Sequence, residues 1–368
     1  MKYVYILSNG PGELWDWARP VAYELVKNEI KPLLWLLPCQ YASGMERACA
    51  ELIPFHDVIG PYNWAKTFAE MRKAKDVGLV MQLGGDLIFG RFLSKTSGAK
   101  LFCYTYGKKR GLPKCSKVFT AYEVMARSIK GDGVCPHVIG DLVADSLKLN
   151  SVPFGGDELS PKGSSSSRRV AFFPGSRFSI RRKALPFLHE VYLYLKSVMD
   201  VEVVTLLSPF SLNDEVYAWK EAGLNPRRQP ASTVLKGVDL ALTQPGTNTL
   251  ELLYLKVPTL VAVPYAFLSD IPFSGFKGAL LRLPWIKGRV FDLLSRKRGM
   301  LSWPNKILGR ELMPELVGDF TPKQIAEAMA RFLKDDTWLK ETSAYMDRFS
   351  PAKGASKKMV EEIKQCLV

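Results

Sequence analysis

Short apolar runs alternate with helical patterns along most of the chain. Runs that are apolar throughout are typical of strands buried on both faces of a parallel sheet, so this rhythm predicts βαβ units. Strands are predicted at 3–8, 32–37, 79–83, 100–104, 117–121, 169–173, 202–207, 238–243 and 259–263. Helices are predicted at 15–27, 183–199, from about 248, 323–333 and 356–366.

One segment near the middle of the chain interrupts this rhythm. It contains Gly155-Gly156-Asp157 and four consecutive serines, a composition typical of a flexible linker. We therefore predict an α/β protein with two Rossmann-like domains facing a cleft, followed by C-terminal helices. The predicted boundaries are 1–155 for the N-terminal domain, 156–168 for the linker, 169–340 for the C-terminal domain and 341–368 for a helical tail.

The chain is strongly basic, with 51 Lys and Arg against 36 Asp and Glu and a formal net charge of +15. Such a charge indicates partners and not a fold, and it leaves nucleic acid, an anionic membrane surface and a phosphate-bearing substrate open. No apolar stretch approaches the ~20 residues of a spanning helix. The six cysteines form no CxxC pair and only three histidines are present. We therefore expect a cytoplasmic protein with no metal site and no cofactor.

A glycine loop follows the first predicted strand, and a second loop follows a later one. The first reads Ser8-Asn9-Gly10-Pro11-Gly12-Glu13, and it would place Glu13 in the cleft at the carboxyl end of the sheet. The alternative is a tight βα turn in which Glu13 only favours the helix dipole. The second, Gly84-Gly85-Asp86, offers another carboxylate, and the alternative there is a turn Asp that caps its own backbone.

The second domain has two similar loops. Pro174-Gly175-Ser176-Arg177 follows a strand, and Arg181 comes four residues after Arg177, so we expect an anion such as a diphosphate between these arginines. A solvated basic face is the alternative. The motif at 243–251 places Gly246 and Thr247 before a helix that contains Glu251. The spacing of Asn248 and Glu251 also fits a capping box.

The segment 276–299 interleaves basic residues with Leu, Trp and Phe, a pattern typical of an interfacial membrane segment. A solvated helix packed on its own domain is the alternative. The candidate membrane or acceptor residues are Lys277, Arg282, Trp285, Lys287 and Arg289. A smaller basic loop at 108–110 is a candidate for the same surface. No nucleic-acid-binding module is recognisable, so nucleic acid is not expected as a partner.

Four segments in order resemble the lipid-A-disaccharide synthase family. Residues 139–146, Ile-Gly-Asp-Leu-Val-Ala-Asp-Ser, are similar to that family's I-G-H-x-x-A-D-x, and residues 174–177 match its P-G-S-R. Gly246-Thr247 with Glu251 is similar to its S-G-T-A-x-L-E. Pro304-Asn305 with 309–312 is similar to its L-P-N-x-x-x-G-R-E-L.

The resemblance implies an inverting glycosyltransferase of GT-B architecture that moves a hexosamine or related sugar from a UDP-sugar to a lipid-linked acceptor. By the same resemblance Arg177 meets the diphosphate, Glu251 the ribose, and Gly175, Ser176, Gly246, Thr247 and Asn305 belong to the donor site. It also implies lipid A biosynthesis, a peripheral location on the inner face of the cytoplasmic membrane, and a homodimer as one candidate assembly.

The first domain departs from the family pattern. Residues 8–13 replace the family's G-E-T-S-G-D, residues 84–89 keep one carboxylate of its D-A-P-D segment, and Asp141 replaces its His. We predict that Asp86 is the catalytic base and that Glu13 is the second candidate for this role. A UDP-sugar 2-epimerase-like enzyme is the alternative within enzymes, and a non-catalytic relative that binds lipid or nucleic acid is the alternative outside them.

Overall fold

The computed structural model describes residues 2–39, 42–131, 133–149, 167–264 and 299–367. Residue contacts group the chain into two compact units. The first unit comprises residues 1–153 together with 351–368, and the second comprises 154–350. Most of the predicted linker lies outside the described residues, so the domain boundaries stay predictions.

The first unit is built on a parallel sheet with the strand order β3-β2-β1-β4-β5-β6-β7. The order reverses beside β1, so the loops after β1 and β4 meet at the switch point where ligands bind in such sheets. The strands are β1 (Tyr3–Ser8), β2 (Pro32–Leu36), β3 (Asp57–Ile59), β4 (Val77–Gln82), β5 (Lys100–Tyr104), β6 (Lys117–Thr120) and β7 (His137–Val138).

Helices connect these strands, as parallel pairing requires. They are α1 (Pro11–Glu13), a π-helical turn (Leu14–Ala18), α2 (Arg19–Lys27), α3 (Glu46–Ala50), α4 (Trp64–Met71), α5 (Leu87–Ser97), a 3-10 turn (Leu112–Lys114), α6 (Glu123–Ile129) and α7 (Leu142–Ser146). The core of this unit includes Tyr5, Trp35 and Phe89.

The second unit repeats this plan with the strand order β10-β9-β8-β11-β12-β13, and its switch point lies between β8 and β11. Its strands are β8 (Arg168–Phe173), β9 (Val201–Leu206), β10 (Pro226–Arg227), β11 (Leu240–Thr243), β12 (Thr259–Pro264) and β13 (Glu315–Gly318). Every residue of β12 is buried, which is expected for a parallel strand covered on both faces.

The described helices of the second unit cover a core that includes Phe172, Trp219 and Met329. They are α8 (Phe178–Val198), α9 (Asn213–Glu221), α10 (Ala231–Val234), α11 (Asn248–Tyr254), α12 (Trp303–Leu308), α13 (Pro322–Lys334) and α14 (Asp336–Arg348). A capping box formed by Thr321 and Gln324 begins α13, and that helix packs against α8.

The last helix, α15 (Ala355–Leu367), belongs to the first unit, whereas α14 belongs to the second. The buried carboxylate of Asp145 holds the start of α15. It accepts hydrogen bonds from the Gly354 amide at 2.8 Å and from the Ser356 amide and hydroxyl at 2.9 Å. The segment 341–368, predicted as one tail, is therefore divided between the two units.

The predicted strands at 3–8 and 100–104 are confirmed to the residue. The helix predicted at 15–27 begins earlier, because Pro11 stands in its first turn and pre-sets the helical φ. The helix predicted at 183–199 begins at Phe178, which makes Arg181 part of the helix. The prediction missed α14, whose first turn is capped by the side chain of Asp335.

Candidate functional site

Two of the predicted glycine loops come together at the switch point of the second unit. Strands β8 and β11 pair in parallel and end with Phe173 opposite Thr243. The loops 174–177 and 244–247 therefore leave the same edge of the sheet from adjacent strands. This places Gly175, Ser176 and Arg177 at the same sheet edge as Gly246 and Thr247.

The loop at 174–177 has a defined conformation that a buried ion pair supports. Gly175 has a φ of +96°, a value that L side chains rarely adopt, so glycine is required here. The half-buried Arg177 is the residue just before α8. Arg181 is fully buried, and its Nη2 donates to Glu215 Oε2 at 2.9 Å. A second nitrogen of Arg181 donates to the carbonyl of Ser176.

The expectation that an anion lies between Arg177 and Arg181 is therefore wrong for Arg181. Its guanidinium is fully buried and already has the Glu215 carboxylate as its counter-ion. Its role is to hold the loop from behind. Arg177 alone of this pair stays a candidate for contact with a diphosphate.

The second loop is shaped by Asn248, and the predicted capping box does not form. The Asn248 amide donates backwards to the Thr243 hydroxyl and to the Gln244 carbonyl. A Cβ on Gly246 would lie 2.6 Å from Asn248 Oδ1, so glycine leaves the space that this side chain occupies. Helix α11 begins without a side-chain cap, and the half-buried Glu251 lies in its first turn.

Asn305 was predicted to line the donor pocket, but its side chain is committed elsewhere. It is fully buried, and its Nδ2 donates to Met313 O at 2.7 Å and to Glu315 Oε1 at 2.9 Å. Its Oδ1 accepts from the amides of Leu312 and Met313 at 2.8 and 2.9 Å. Because its two donors and its acceptor are all engaged, this side chain would have to break internal bonds to contact a ligand.

At the switch point of the first unit, Glu13 packs between two glycines. A Cβ on Gly84 would lie 2.9 Å from the Cβ of Glu13. A Cβ on Gly10 would lie 2.0 Å from Glu13 Oε2. A Cβ on Gly84 would collide with the base of the Glu13 side chain, and a Cβ on Gly10 would displace its carboxylate. The loops after β1 and β4 therefore leave room for a half-buried carboxylate at the edge where ligands bind.

Asp86, the other predicted base, makes the capping contact that was the alternative expected for it. Its exposed side chain caps α5 and accepts a hydrogen bond from the Ile88 amide at 2.9 Å. In the loop that contains Asp86, the carbonyl of Gly85 accepts a hydrogen bond from the ammonium group of Lys109 at 3.3 Å. The two candidate bases therefore differ: Glu13 is half-buried, whereas Asp86 is exposed and its carboxylate caps its own helix.

Sequence reasoning missed a buried polar cluster beside this edge. The hydroxyl of Tyr106 donates to the buried carboxylate of Asp141, which also accepts from the Val143 amide at 3.0 Å. The hydroxyl of Tyr104 donates to Gly140 O at 3.1 Å. Burial, and secondly the charge of Asp141, raises the pKa of Tyr104 well above its usual range. The signal in the sequence was Asp141 itself, the residue that departs from the family's His.

The π-helical turn after the first glycine loop covers this cluster. It places the ring of Trp17 at 5.2 Å from that of Tyr104 and at 5.0 Å from that of Tyr106, both edge to face. Among the described residues, no group of three or more His, Cys, Asp or Glu side chains is close enough to hold a metal ion.

The predicted membrane or acceptor residues fall in one segment of the second unit. Lys277, Arg282, Trp285, Lys287 and Arg289 all lie outside the described residues. In the parts of the chain that are described, no helix has both the length and the apolar character needed to cross a bilayer. The assignment of these five residues stays a prediction.

Two parallel sheets, each flanked by helices, define an α/β protein with two Rossmann-like units, the GT-B class of fold. This part of the fold prediction is confirmed. No family model matches the sequence. The chain is similar to curated lipid-A-disaccharide synthases, which confirms the resemblance drawn from its motifs.

The synthase from Paraburkholderia phymatum is 26% identical over 217 residues, covering 56% of this chain and 50% of that protein. The synthase from Alkalilimnicola ehrlichii is 26% identical over 248 residues, covering 64% of this chain and 59% of that protein. The match thus spans between 50% and 59% of the length of these two relatives.

Solved structures resemble the whole chain at low sequence identity. A structure of S. aureus MnaA with UDP has a TM-score of 0.63 at 14% identity and covers 100% of this chain and 97% of its own. A putative UDP-N-acetylglucosamine 2-epimerase from Listeria monocytogenes has a TM-score of 0.61 at 13% identity and covers 99% and 97%. The kitacinnamycin glycosyltransferase has a TM-score of 0.59 at 13% identity and covers 100% and 99%. At such identities the likeness establishes the fold.

Proposed function

We propose that this protein is an inverting glycosyltransferase that moves a hexosamine or related sugar from a UDP-sugar to a lipid-linked acceptor. The observation that carries the proposal is the meeting of loops 174–177 and 244–247 at the switch point of the second unit. The curated relatives are named lipid-A-disaccharide synthases, and a structural neighbour was solved with UDP. The name of the curated relatives supports the reaction type, and the UDP of the structural neighbour supports the donor class.

The second unit binds the donor in this proposal. Glycine at 175 and 246 lets backbone amides approach a diphosphate closely, and α8 directs the positive end of its dipole toward the loop that contains Arg177. The buried Arg181 keeps that loop in position by binding the Ser176 carbonyl. A preorganised loop stabilises the leaving diphosphate without reorganising during the reaction.

The first unit supplies the base, and we assign that role to Glu13 ahead of Asp86. A base must be free to accept a proton, and Asp86 already uses one oxygen to cap α5. Glu13 is half-buried in space that Gly10 and Gly84 leave for it. In the reaction, the acceptor hydroxyl oxygen attacks the anomeric carbon while its proton passes to Glu13. The bond from that carbon to the diphosphate breaks, and its electron pair leaves with UDP.

The test is transfer of radiolabel from a panel of UDP-sugars to a lipid extract, measured in the organic phase. Replacing Glu13→Gln should lower turnover by about 10²–10⁴-fold without weakening UDP binding, because only the proton acceptor is lost. Replacing Arg177→Ala should weaken UDP binding by about tenfold or more, since a charge-assisted contact is removed. The matched control, Arg182→Ala, changes an exposed arginine in α8, the helix that follows Arg177, and should do neither.

A UDP-sugar 2-epimerase is the second candidate, favoured by structural neighbours with that name. It predicts that a free UDP-sugar is converted to its C2 epimer without any acceptor and that the label stays in the aqueous phase. That outcome would contradict the transferase proposal. Absence of both reactions over the whole panel would contradict an enzymatic function and favour a non-catalytic binding protein.

A further inference from the structure

Side chains hold the backbone of the loop between β4 and α5. Each of the three carbonyls of residues 83–85 accepts a hydrogen bond from a side chain. The donors are, in that order, the hydroxyl of Ser8, the amide of Gln82 and the ammonium group of Lys109. The first of these bonds measures 3.2 Å and the third 3.3 Å. The orientation of every peptide in this short stretch is therefore set by a side chain.

The peptide between Gly84 and Gly85 needs such support more than an ordinary peptide does. Gly84 has a φ of +129° and Gly85 a φ of +68°, values that L side chains rarely adopt. Glycine populates positive and negative φ about equally, so a peptide between two glycines turns at low cost unless its carbonyl is held. The carbonyl of this peptide is Gly84 O, to which the amide of Gln82 donates.

Gln82 is a polar residue in an apolar place. It is the last residue of β4 and is fully buried, directly after the buried apolar residues 79–81. Its Nε2 donates to Gly84 O, whereas its Oε1 has no hydrogen-bond partner among the residues that the structure describes. A buried acceptor without a partner lowers stability. An apolar residue of the same size would therefore serve the core better, and packing alone does not account for Gln82.

Helix α5 leaves room for this side chain at a further cost. Gly90 lies in the interior of α5, where glycine lowers stability relative to alanine. Its φ does not lie in the left-handed region, so the backbone does not require glycine there. A Cβ on Gly90 would collide with Oε1 of Gln82. The helical glycine and the unpartnered oxygen thus both serve the one hydrogen bond that Gln82 donates.

The peptide that Gln82 holds borders the candidate base. A Cβ on Gly84 would lie 2.9 Å from the Cβ of Glu13 and 3.0 Å from its Cγ. Gly84 is buried, and the half-buried side chain of Glu13 packs directly against it. Contacts therefore run from Gly90 through Gln82 and Gly84 to Glu13.

We propose that Gln82 is a positioning residue, which holds the Gly84 carbonyl and thereby fixes the backbone against which Glu13 packs. The direction of the Glu13 carboxylate toward an acceptor hydroxyl is then set before the acceptor binds. A base that is already in place needs no reorganisation during the reaction. The inference rests on the proposed function, because it takes Glu13 as the base. Gln82 acts through the loop and does not itself accept the proton.

The variant that tests this role is Gln82→Met. Methionine is unbranched and close to glutamine in size, but it has no amide that can donate a hydrogen bond. Tyr5→Phe is the matched control, because the Tyr5 hydroxyl donates to Lys75 O at 3.1 Å, just before β4 begins. This control also removes one hydrogen bond to a backbone carbonyl, but at the opposite edge of the same sheet. Cooperative urea unfolding of both variants would establish that they are folded.

The first readout is the Glu13 signal in carbon-13 NMR of protein labelled at the side-chain carboxyl carbon of glutamate. The signal is assigned by its loss in Glu13→Gln. Gln82→Met should shift or broaden it, because the released peptide changes the surroundings of the Glu13 side chain. Gly90→Ala should do the same, since the new methyl group displaces the Gln82 amide. Tyr5→Phe should leave the signal unchanged.

The second readout is the rate of sugar transfer with the panel of UDP-sugars. Gln82→Met should lower kcat by about 10- to 100-fold, as expected for a misplaced reacting group. It should leave the KM for the donor unchanged, because the proposed donor site belongs to the second unit. Tyr5→Phe should retain the wild-type values. A wild-type protein without transferase activity would contradict the proposed function, and the carboxyl signal would still decide whether Gln82 positions Glu13.

Three results would overturn the inference. The first is a Glu13 signal that is the same in Gln82→Met as in the wild type, or that Tyr5→Phe moves as far. The second is an active wild type whose kcat Gln82→Met retains. The third is a Gln82→Met variant in which only the donor KM rises, which would show that Gln82 supports the fold in general and not the base.

Discussion

The two units of this protein place a glycine loop at the same topological position and fix it in different ways. In the second unit, the loop 174–177 is held from behind by the buried pair of Arg181 and Glu215. In the first unit, Gly10 and Gly84 leave space in which the Glu13 side chain packs. The loop 174–177 is held by a buried ion pair, whereas the loop of the first unit depends on the absence of side chains at Gly10 and Gly84. Equal topology therefore does not imply an equal mechanism of support.

Each unit has a buried arginine near its glycine loop, and the two arginines differ in their hydrogen-bond partners. Arg19 in the first unit is 3% exposed and donates to the Ser146 hydroxyl at 2.7 Å and to its carbonyl at 3.0 Å. It connects the turn after the loop to α7. Arg181 donates to the carbonyl of Ser176 within its loop and is neutralised by a carboxylate on another helix. The loop 174–177 thus depends on a buried charge that a single substitution can leave without its counter-ion.

The largest effect is expected from breaking the ion pair of the second unit. Glu215→Ala should lower the free energy of unfolding by about 3–5 kcal/mol, because it leaves the Arg181 charge buried and uncompensated. The control is Glu221→Ala, an exposed residue on the same helix, which should change the free energy of unfolding by less than about 0.5 kcal/mol. Urea denaturation of the two variants would measure the difference. Equal losses in the two variants would contradict the comparison.

An intermediate effect is expected from filling the space of the first unit. Gly84→Ala should cost about 1–3 kcal/mol, because Gly84 has a φ of +129° and the new Cβ would collide with Glu13. Gly98→Ala is the matched control, since its φ is +74° but nothing lies within 4 Å of a Cβ there. It should cost about 1 kcal/mol from backbone strain alone. Transfer activity should fall in the first variant and not in the control.

The smallest effect is expected at Asp86. Asparagine caps helices about as well as aspartate, so Asp86→Asn should change stability by less than about 0.5 kcal/mol, whereas Asp86→Ala should cost about 1 kcal/mol. If Asp86 only caps α5, the asparagine variant also keeps its transfer activity. A loss of turnover in Asp86→Asn with unchanged stability would return the role of base from Glu13 to Asp86.

Periodicity and turn chemistry were sufficient to predict much of the fold. Mostly apolar runs predicted β1 and β5 to the residue, because a strand buried on both faces leaves little choice of composition. The ends of helices were harder to predict from the sequence. Helix α8 begins at Phe178 and includes Arg181, which is buried against Glu215. The 34 residues between these two partners mean that the short-range pattern gives no signal of their pairing.

For the candidate site, too, the sequence predicted some features and not others. Glycine loops after strands identified the positions of Gly175, Ser176, Arg177, Gly246 and Thr247, since parallel topology brings such loops to one edge. Individual roles did not follow from spacing. Asn248 and Glu251 have the spacing of a capping box, yet the Asn248 side chain donates backwards to Thr243 and Gln244. Asn305 has the position expected of a pocket residue, yet internal hydrogen bonds occupy its side chain.

The sequence by itself determined the two α/β units, the glycine loops at their strand ends and the excess of positive charge. These properties are local or additive, so composition and short-range pattern carry them. Only the tertiary structure decided which charges are buried and paired and which remain exposed. It buried Arg181 with Glu215, and it left Arg110 and Lys114 exposed. The physical reason is that desolvation and pairing depend on residues distant in the chain, which no local pattern records.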